Sequence, residues 1–125
     1  MEGISAKIKT FTDLTAWKKA HELVVNIYKL TEDFPKSEMF SLVDQMRRCG
    51  VSISSNIAEG FSRQGSKEKI QFYYISKGSL TEIQNQLLIA RDVGYLNNKL
   101  FNELAGQTVE VGRLLIGLIR SIKNR

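Results

Sequence analysis

Residues 97–123 read NNKLFNELAGQTVEVGRLLIGLIRSIK, and their spacing decides the fold class. Seven residues recur at alternating steps of three and four: Phe101, Leu104, Thr108, Val111, Leu115, Leu118 and Ile122. Side chains at these steps share one face of an α-helix, and the alternation is typical of helices that pack in bundles. Asn97 or Asn98 is a suitable N-cap. The stretch therefore predicts a long helix with one core face.

Three further stretches of the chain show helical periodicity, which predicts an all-α fold. We expect helices over about residues 13–31, 38–60, 66–93 and 97–123, with turns at Pro35, at FSRQG and at Gly94. The predicted core seams are Leu14, Trp17, His21, Val24, Tyr28 and Thr31; Leu42, Met46, Cys49, Ile53 and Ile57; and Phe72, Ser76, Ser79, Ile83, Leu87 and Ala90. Four helices joined by short turns predict one domain over residues 1–125, an antiparallel up-down-up-down four-helix bundle.

The composition limits the classes of protein that this chain can belong to. Its 125 residues suit one domain, and 42% hydrophobic residues suffice for a core. No apolar run approaches the roughly 20 residues that span a bilayer, and the first residues lack the apolar region of a signal peptide. We therefore expect a cytoplasmic protein with no membrane partner. The net charge of +5 permits a polyanionic partner without requiring one.

The longer helices carry a second apolar surface away from their main seams. Tyr74 and Leu88 lie on this side of the third helix, and Ala105, Val109, Gly112 and Ile116 lie on that of the fourth. Leu23 and Leu30 are off the seam of the first helix. A contiguous exposed apolar surface marks a contact between subunits, so the pattern predicts a homo-oligomer in which these residues form the interface.

The residues that could perform catalysis or bind a metal are few. His21 is the one histidine, and its place on the predicted apolar face indicates a packed core residue. Cys49 is the one cysteine, which excludes an internal disulfide and a cysteine-rich metal site. Its place on the second seam indicates a small buried residue. We predict no catalytic residues, no metal and no cofactor.

A polar strip runs beside the core seam of the second helix, and a matching strip flanks that of the third. The strips comprise Gln45, Arg48, Ser52, Asn56 and Glu59 on the second helix, and Ser79, Glu82 and Gln86 on the third. If the two helices pack antiparallel, the strips meet, and Arg48 can pair with Glu82 or Glu59. We interpret them as an internal structural network. The alternative is a hydrolase that uses Glu59 and Glu82 as an acid–base pair.

Basic residues are spread along the chain, and two interpretations of them stay open. Those that suit contact with RNA or DNA phosphates are Lys18, Lys19, Arg63, Lys67 and Lys69. The other interpretation is a solvated surface without a polyanionic ligand. Oligomerisation would multiply a modest positive charge and favour phosphate binding.

Three segments resemble a known family: FTDLTAWKKAHELVVNIYKLTEDFPKSE, LVDQMRRCGVSISSNIAEGFSR and YYISKGSLTEIQNQLLIARDVGYL. They are similar to small four-helix bundle proteins encoded in intervening sequences of bacterial 23S ribosomal RNA genes. The match runs from about Phe11 to Ile122, and its most specific parts are Gln45 with Arg47-Arg48, residues 52–60, and Gly78-Ser79 with Glu82.

The resemblance implies a non-enzymatic bundle that assembles as a homopentameric ring. The family is also similar to the accessory variability protein of diversity-generating retroelements, a basic pentamer that binds nucleic acid and a reverse transcriptase. We therefore predict binding of RNA or DNA through a basic surface. The alternative is a scaffold that recruits a partner protein such as a reverse transcriptase.

Overall fold

The computed structural model describes residues 7–125, and this part of the chain consists of helices and short connections. The four α-helices are α1 (Thr15–Thr31), α2 (Leu42–Ser62), α3 (Ser66–Asp92) and α4 (Asn98–Lys123). Short 3₁₀ turns at Phe11–Asp13 and Lys36–Glu38 precede α1 and α2. The described residues include no β-strand, which confirms the prediction of an all-α fold with four helices.

Local chemistry accounts for the helix ends. The Asn97 side chain accepts a hydrogen bond of 2.8 Å from the Leu100 amide and so caps α4. Gly94 has φ of 88°, the left-handed conformation that lets the chain leave α3. At α2 the sequence-based boundary near residue 38 is wrong, because the residues after Pro35 form a 3₁₀ turn and the helix begins at Leu42.

Contacts between neighbouring helices follow opposite orders along the chain. Between α2 and α3 they are Cys49 with Ser79, Ile53 with Ser76, and Phe61 with Lys69. Arg47 of α2 hydrogen-bonds Thr31 at 2.9 Å, near the end of α1. Later residues of α2 therefore contact earlier residues of α3, and the start of α2 contacts the end of α1.

The α4 helix closes the bundle against α1 and α3. The Gln107 side chain accepts a hydrogen bond of 3.1 Å from Asn26, and Thr108 accepts one of 3.2 Å from Gln84. Lys123, at the end of α4, donates to the Tyr74 hydroxyl near the start of α3 at 3.0 Å. As a result, the start of α3 and the ends of α2 and α4 lie at one end of the bundle.

The core confirms most seam residues of α2, α3 and α4 and corrects that of α1. The buried face of α1 includes Ala16, Ala20, Leu23 and Ile27, with Leu23 and Ile27 fully buried. The placement of Leu23 on a second apolar surface was therefore wrong. His21 is exposed rather than in the core, and its ring stacks on Trp17 with 4.7 Å between centroids. The prediction failed because it followed the aromatic residues, whereas the inner face includes two alanines, which carry little hydrophobic signal, together with Leu23 and Ile27.

Gly60, near the junction of α2 and α3, has the least room for a side chain among the glycines of the described chain. A Cβ placed on Gly60 would stand 2.6 Å from Cε1 of Tyr73 and 3.2 Å from the Lys69 carbonyl oxygen. Tyr73 is fully buried, so its ring has little room to move. The missing side chain of Gly60 therefore allows α3 to start directly against α2.

Candidate functional site

One end of the bundle carries the net positive charge of the chain. We call residues 7–22, 59–69 and 117–125 the basic end; they hold ten basic and four acidic side chains. The rest of residues 7–125 holds eight of each. All five basic residues proposed from the sequence lie at the basic end: Lys18, Lys19, Arg63, Lys67 and Lys69. Folding therefore concentrates a charge that is scattered along the sequence.

Two of these five residues are engaged in holding the fold together. The Lys69 ammonium donates hydrogen bonds to the carbonyl oxygens of Phe61 at 2.7 Å and Gly60 at 3.4 Å, which caps the end of α2. Burial lowers the pKa of Lys69, and the charge of Arg125 adds to the shift. Arg63 pairs with Glu59 at 3.0 Å. The charged groups of Lys69 and Arg63 are thus already engaged in contacts within the chain, and they are less available to a ligand than unpaired cations.

Other cations of the basic end face solvent. Lys18, Lys67 and Arg120 are exposed, and they make no ion pair or hydrogen bond through their charged groups within residues 7–125. Lys19 lies 3.9 Å from Glu22, a contact that water screens strongly. Arg120 was not among the five residues proposed from the sequence, because a basic residue in the last turn of a helix is also explained by the helix dipole. In the structure it lies at the same end of the bundle as the lysines.

The two polar strips meet in a shallow groove between α2 and α3, with a volume of about 310 Å³. The groove is lined by Gln45, Arg48, Cys49, Ser52, Ser79, Glu82 and Gln86. The Ser52 and Ser79 hydroxyls are 2.8 Å apart and link the helices, and Asn56 donates to the Ser52 hydroxyl at 3.0 Å. These three residues act structurally within the described chain.

The charged members of the strips lie on the outside of the bundle rather than in an internal network. Arg48 pairs with Asp44 at 2.9 Å, so its predicted pairing with Glu82 or Glu59 is wrong. The reason is that Asp44 lies one turn away on the same helix, where pairing needs no burial. Glu82 is exposed and belongs to no ion pair among residues 7–125.

Gln86 stands out in the wall of this groove. The residue is 8% exposed, and its Oε1 is buried without a hydrogen-bond partner in the described chain. A buried carbonyl oxygen that receives no hydrogen bond is costly, so such atoms need an explanation. Helical periodicity placed Gln86 beside the α3 seam with Ser79 and Glu82, but it gave no sign that the side-chain carbonyl would be buried without a donor.

Cys49 lies at the inner edge of the groove and is chemically protected. Its Sγ donates to the Ser79 carbonyl oxygen at 3.0 Å. Burial raises the pKa of the thiol to about 11, and the negative charge of Glu82 adds to the effect. A thiol with this pKa is almost wholly protonated at neutral pH, so Cys49 is a poor nucleophile there.

The two carboxylates of the hydrolase alternative do not line the same groove. Glu82 lies beside Cys49, whereas Glu59 lies ten residues further along α2, a rise of about 15 Å along the axis. Paired carboxylates of glycoside hydrolases stand roughly 5–9.5 Å apart. The arrangement of Glu59 and Glu82 therefore does not fit that chemistry.

A second groove, between α3 and α4, is lined by three of the six residues that were predicted as an oligomer interface. Its volume is about 420 Å³, and Val109, Gly112 and Ile116 line it. Tyr74, Leu88, Val109 and Ile116 are 38–54% exposed, and Ala105 is half-buried nearby on α4. A Cβ on Gly112 would stand 3.3 Å from Leu80, so the small size of Gly112 already serves packing within the chain.

The described residues give no indication of a metal centre or a membrane span. Within residues 7–125, no three histidine, cysteine, aspartate or glutamate side chains cluster in a way that could hold a metal ion. No helix in this range combines the length and the apolar character that a membrane span requires.

Comparisons with known proteins agree with the arrangement of the helices. A structure of a protein of unknown function from the S23 ribosomal protein family of Bacteroides thetaiotaomicron is similar, with a TM-score of 0.80 and 24% identity over 86% of this chain and 97% of that one. No curated protein matches the sequence. Residues 12–117 match the family described as 23S rRNA-intervening sequence protein. The chain therefore belongs to the 23S rRNA-intervening sequence protein family.

Proposed function

We propose that this protein binds RNA or DNA without catalysis, through phosphate contacts at the basic end. The observation that carries the proposal is the charge distribution: ten basic and four acidic side chains at one end, against eight of each elsewhere in residues 7–125. Lys18, Lys67 and Arg120 supply exposed cations without partners in the described chain. Phosphate contacts of this kind recognise the backbone and not the sequence.

The proposal includes an antiparallel up-down-up-down bundle that assembles as a homo-oligomer, with a pentameric ring as the expected form. Support for the antiparallel arrangement comes from the opposite order of contacts along neighbouring helices. Support for self-association comes from the exposed apolar residues of the α3–α4 groove. Repetition of the basic end in an assembly would strengthen its attraction for a polyanion.

The direct test is a titration of labelled 23S rRNA fragments and of duplex DNA across a salt series. We expect binding to both, with affinity falling steeply as salt rises, by a slope of about 0.7 to 0.9 in log units for each phosphate contacted. Absence of binding at about 50 mM salt contradicts the proposal. A strong preference for one sequence would contradict backbone recognition.

A protein-interaction scaffold is the second candidate, and the opposite end of the bundle favours it. Phe40 is 91% exposed and Met39 50% exposed in the α1–α2 connection, and Val93 is 56% exposed in the α3–α4 connection. Large exposed apolar side chains are typical of protein contacts. A partner, such as a reverse transcriptase, that stays bound after nuclease treatment and is lost in Phe40→Ser would support this candidate.

A further inference from the structure

Two acceptor groups of the α2–α3 groove, those of Glu82 and Gln86, are not satisfied by any donor within residues 7–125. The buried Oε1 of Gln86 receives no hydrogen bond within residues 7–125, and Glu82 has no ion pair there. Arg48 also lines the groove, yet its guanidinium is held by Asp44 at 2.9 Å. The groove is therefore suited to a cationic group that carries several N–H donors, and the carboxylate of Glu82 disfavours a phosphate.

Apolar side chains flank this acceptor site along α3. Ile75 and Ile89 lie seven residues before and after Glu82, which places all three on one strip of the helix. Both isoleucines are exposed, by 46% and 43%. The strip has an apolar–acidic–apolar pattern and faces away from the core of the chain.

The same chain presents a complementary strip on α4. Arg113 is exposed, takes part in no ion pair within residues 7–125, and lies between Val109 and Ile116 on the wall of the α3–α4 groove. Val109 is 54% exposed and Ile116 is 38% exposed. The pattern here is apolar–basic–apolar. A guanidinium has five N–H donors in a planar fork, which suits simultaneous bonds to a carboxylate and a neighbouring carbonyl.

We propose that the α2–α3 groove receives Arg113 of a second copy, whose guanidinium donates to the Glu82 carboxylate and to Oε1 of Gln86. Val109 and Ile116 of that copy are about 10.5 Å apart along their helix, so they pack against α3 within the roughly 21 Å that separates Ile75 from Ile89. The two surfaces are different parts of the chain, so copies add head to tail, a geometry that closes into a ring when the rotation permits. This inference rests on the homo-oligomer of the proposed function and assigns its contact residues.

Charge reversal measured by sedimentation velocity tests the contact. We expect Glu82→Arg and Arg113→Glu each to raise the dissociation constant for self-association at least about tenfold, and the double variant to recover most of the loss. Both side chains are exposed, so unchanged circular dichroism is expected. Lys99→Glu and Glu103→Arg, which change exposed charges elsewhere on α4, should leave self-association unchanged.

The Gln86→Leu variant gives an independent test, because the two cases predict changes in self-association of different sign. If Gln86 stays without a donor in the assembly, leucine leaves self-association unchanged or strengthens it. If Oε1 accepts from Arg113, leucine weakens self-association, by several-fold to about tenfold. The first result overturns the role of Gln86.

The outcomes separate this inference from the proposed function. If neither charge reversal changes the dissociation constant for self-association, the inference is overturned, and the proposal of nucleic-acid binding is not affected. A chain that stays monomeric at high concentration contradicts the inference together with the oligomeric part of the proposed function. Loss of nucleic-acid binding in basic-end variants that still self-associate bears on the proposed function alone.

Discussion

The two ends of the bundle use their charged side chains differently. We call residues 29–48 and 91–103 the neutral end, since they hold six basic and six acidic side chains. There the charges are often satisfied locally: Glu38 accepts from the Tyr95 hydroxyl at 2.6 Å, and Asp44 holds Arg48 at 2.9 Å. The basic end holds ten basic and four acidic side chains. At least six of its basic side chains therefore cannot pair one-to-one with an acidic side chain of the same end.

The comparison separates residues that contribute to the packing of the fold from charged residues that make no ion pair within the described chain. Lys69 caps α2 and Gly60 leaves room for the Tyr73 ring, so both contribute to the packing of the basic end. Lys18 and Lys67 contact no charged partner in the described chain, and folding does not account for them. Substitutions at the two ends, ordered by the size of their expected effect, can break or sharpen this comparison.

The largest effect is expected for Gly60→Ala at the basic end. A Cβ there meets the buried ring of Tyr73 and backbone of Lys69, and overpacking of this kind costs about 1–3 kcal/mol of unfolding free energy. Urea denaturation measures the loss. The matched control is Gly78→Ala, also in a helix but with open space around its Cβ, where alanine should add up to about 1 kcal/mol. Equal stability of the two variants would contradict the close packing at Gly60.

A smaller loss is expected for Gly94→Ala at the neutral end. Its φ of 88° is costly for residues with a Cβ, although the space around it is open, so we expect a loss of about 1 kcal/mol. Thermal unfolding of this variant should fall between those of Gly60→Ala and the unmodified chain. A stabilised Gly94→Ala would contradict the left-handed turn after α3.

The neutral end should also show a dependence on acid. Hydrogen bonds from Ser41 and then Tyr95 hold the pKa of Glu38 below its ordinary value of 4.5. Because the folded-state pKa is lowered, this contribution to stability is present above pH 4.5 and lost as the pH falls through the folded-state pKa. The stability difference between the unmodified chain and Tyr95→Phe should therefore shrink in acid. A constant difference from pH 7 to acid would refute the role of Glu38.

A prediction that requires no substitution concerns Cys49, which lies between the two ends. With its pKa raised to about 11, the thiol should react with an aromatic disulfide reagent far more slowly at pH 7 in the folded chain than in urea. An equally fast reaction of Cys49 in the folded chain would contradict its burial and would mean that α2 and α3 separate readily around this residue. The absorbance of the released thiolate measures both rates.

Helix positions were largely predictable, because periodicity reports which residues face a core. The seam of α4 through Leu104, Val111 and Leu115 is buried as expected. The seam of α1 was not predictable in the same way, since Ala16 and Ala20 carry little hydrophobic signal and are buried only because α2 and α4 cover them. Tyr28 shows the reverse case, because its aromatic ring was predicted to face the core and is instead exposed.

The candidate sites depended on contacts that spacing does not show. The strips around Ser52 and Ser79 were correctly expected to meet, since both flank their seams. The partner of Arg48 could not be chosen from sequence, because Asp44 lies one turn away on the same helix and Glu82 lines the same groove as Arg48. The unpartnered Gln86 appears only when every neighbouring donor has a position.

The central claim is that the basic end binds nucleic acid, and a comparison of two triple variants by fluorescence anisotropy tests it most directly. One combines Lys18→Ala, Lys67→Ala and Arg120→Ala; the other removes the same number of exposed charges at the neutral end by Lys29→Ala, Lys36→Ala and Lys99→Ala. We expect the first variant to lower affinity for RNA at least about tenfold and to reduce the salt slope by about 2, with the second within about twofold of the unmodified chain. Equal losses in the two variants, or no loss in the first, would contradict the account.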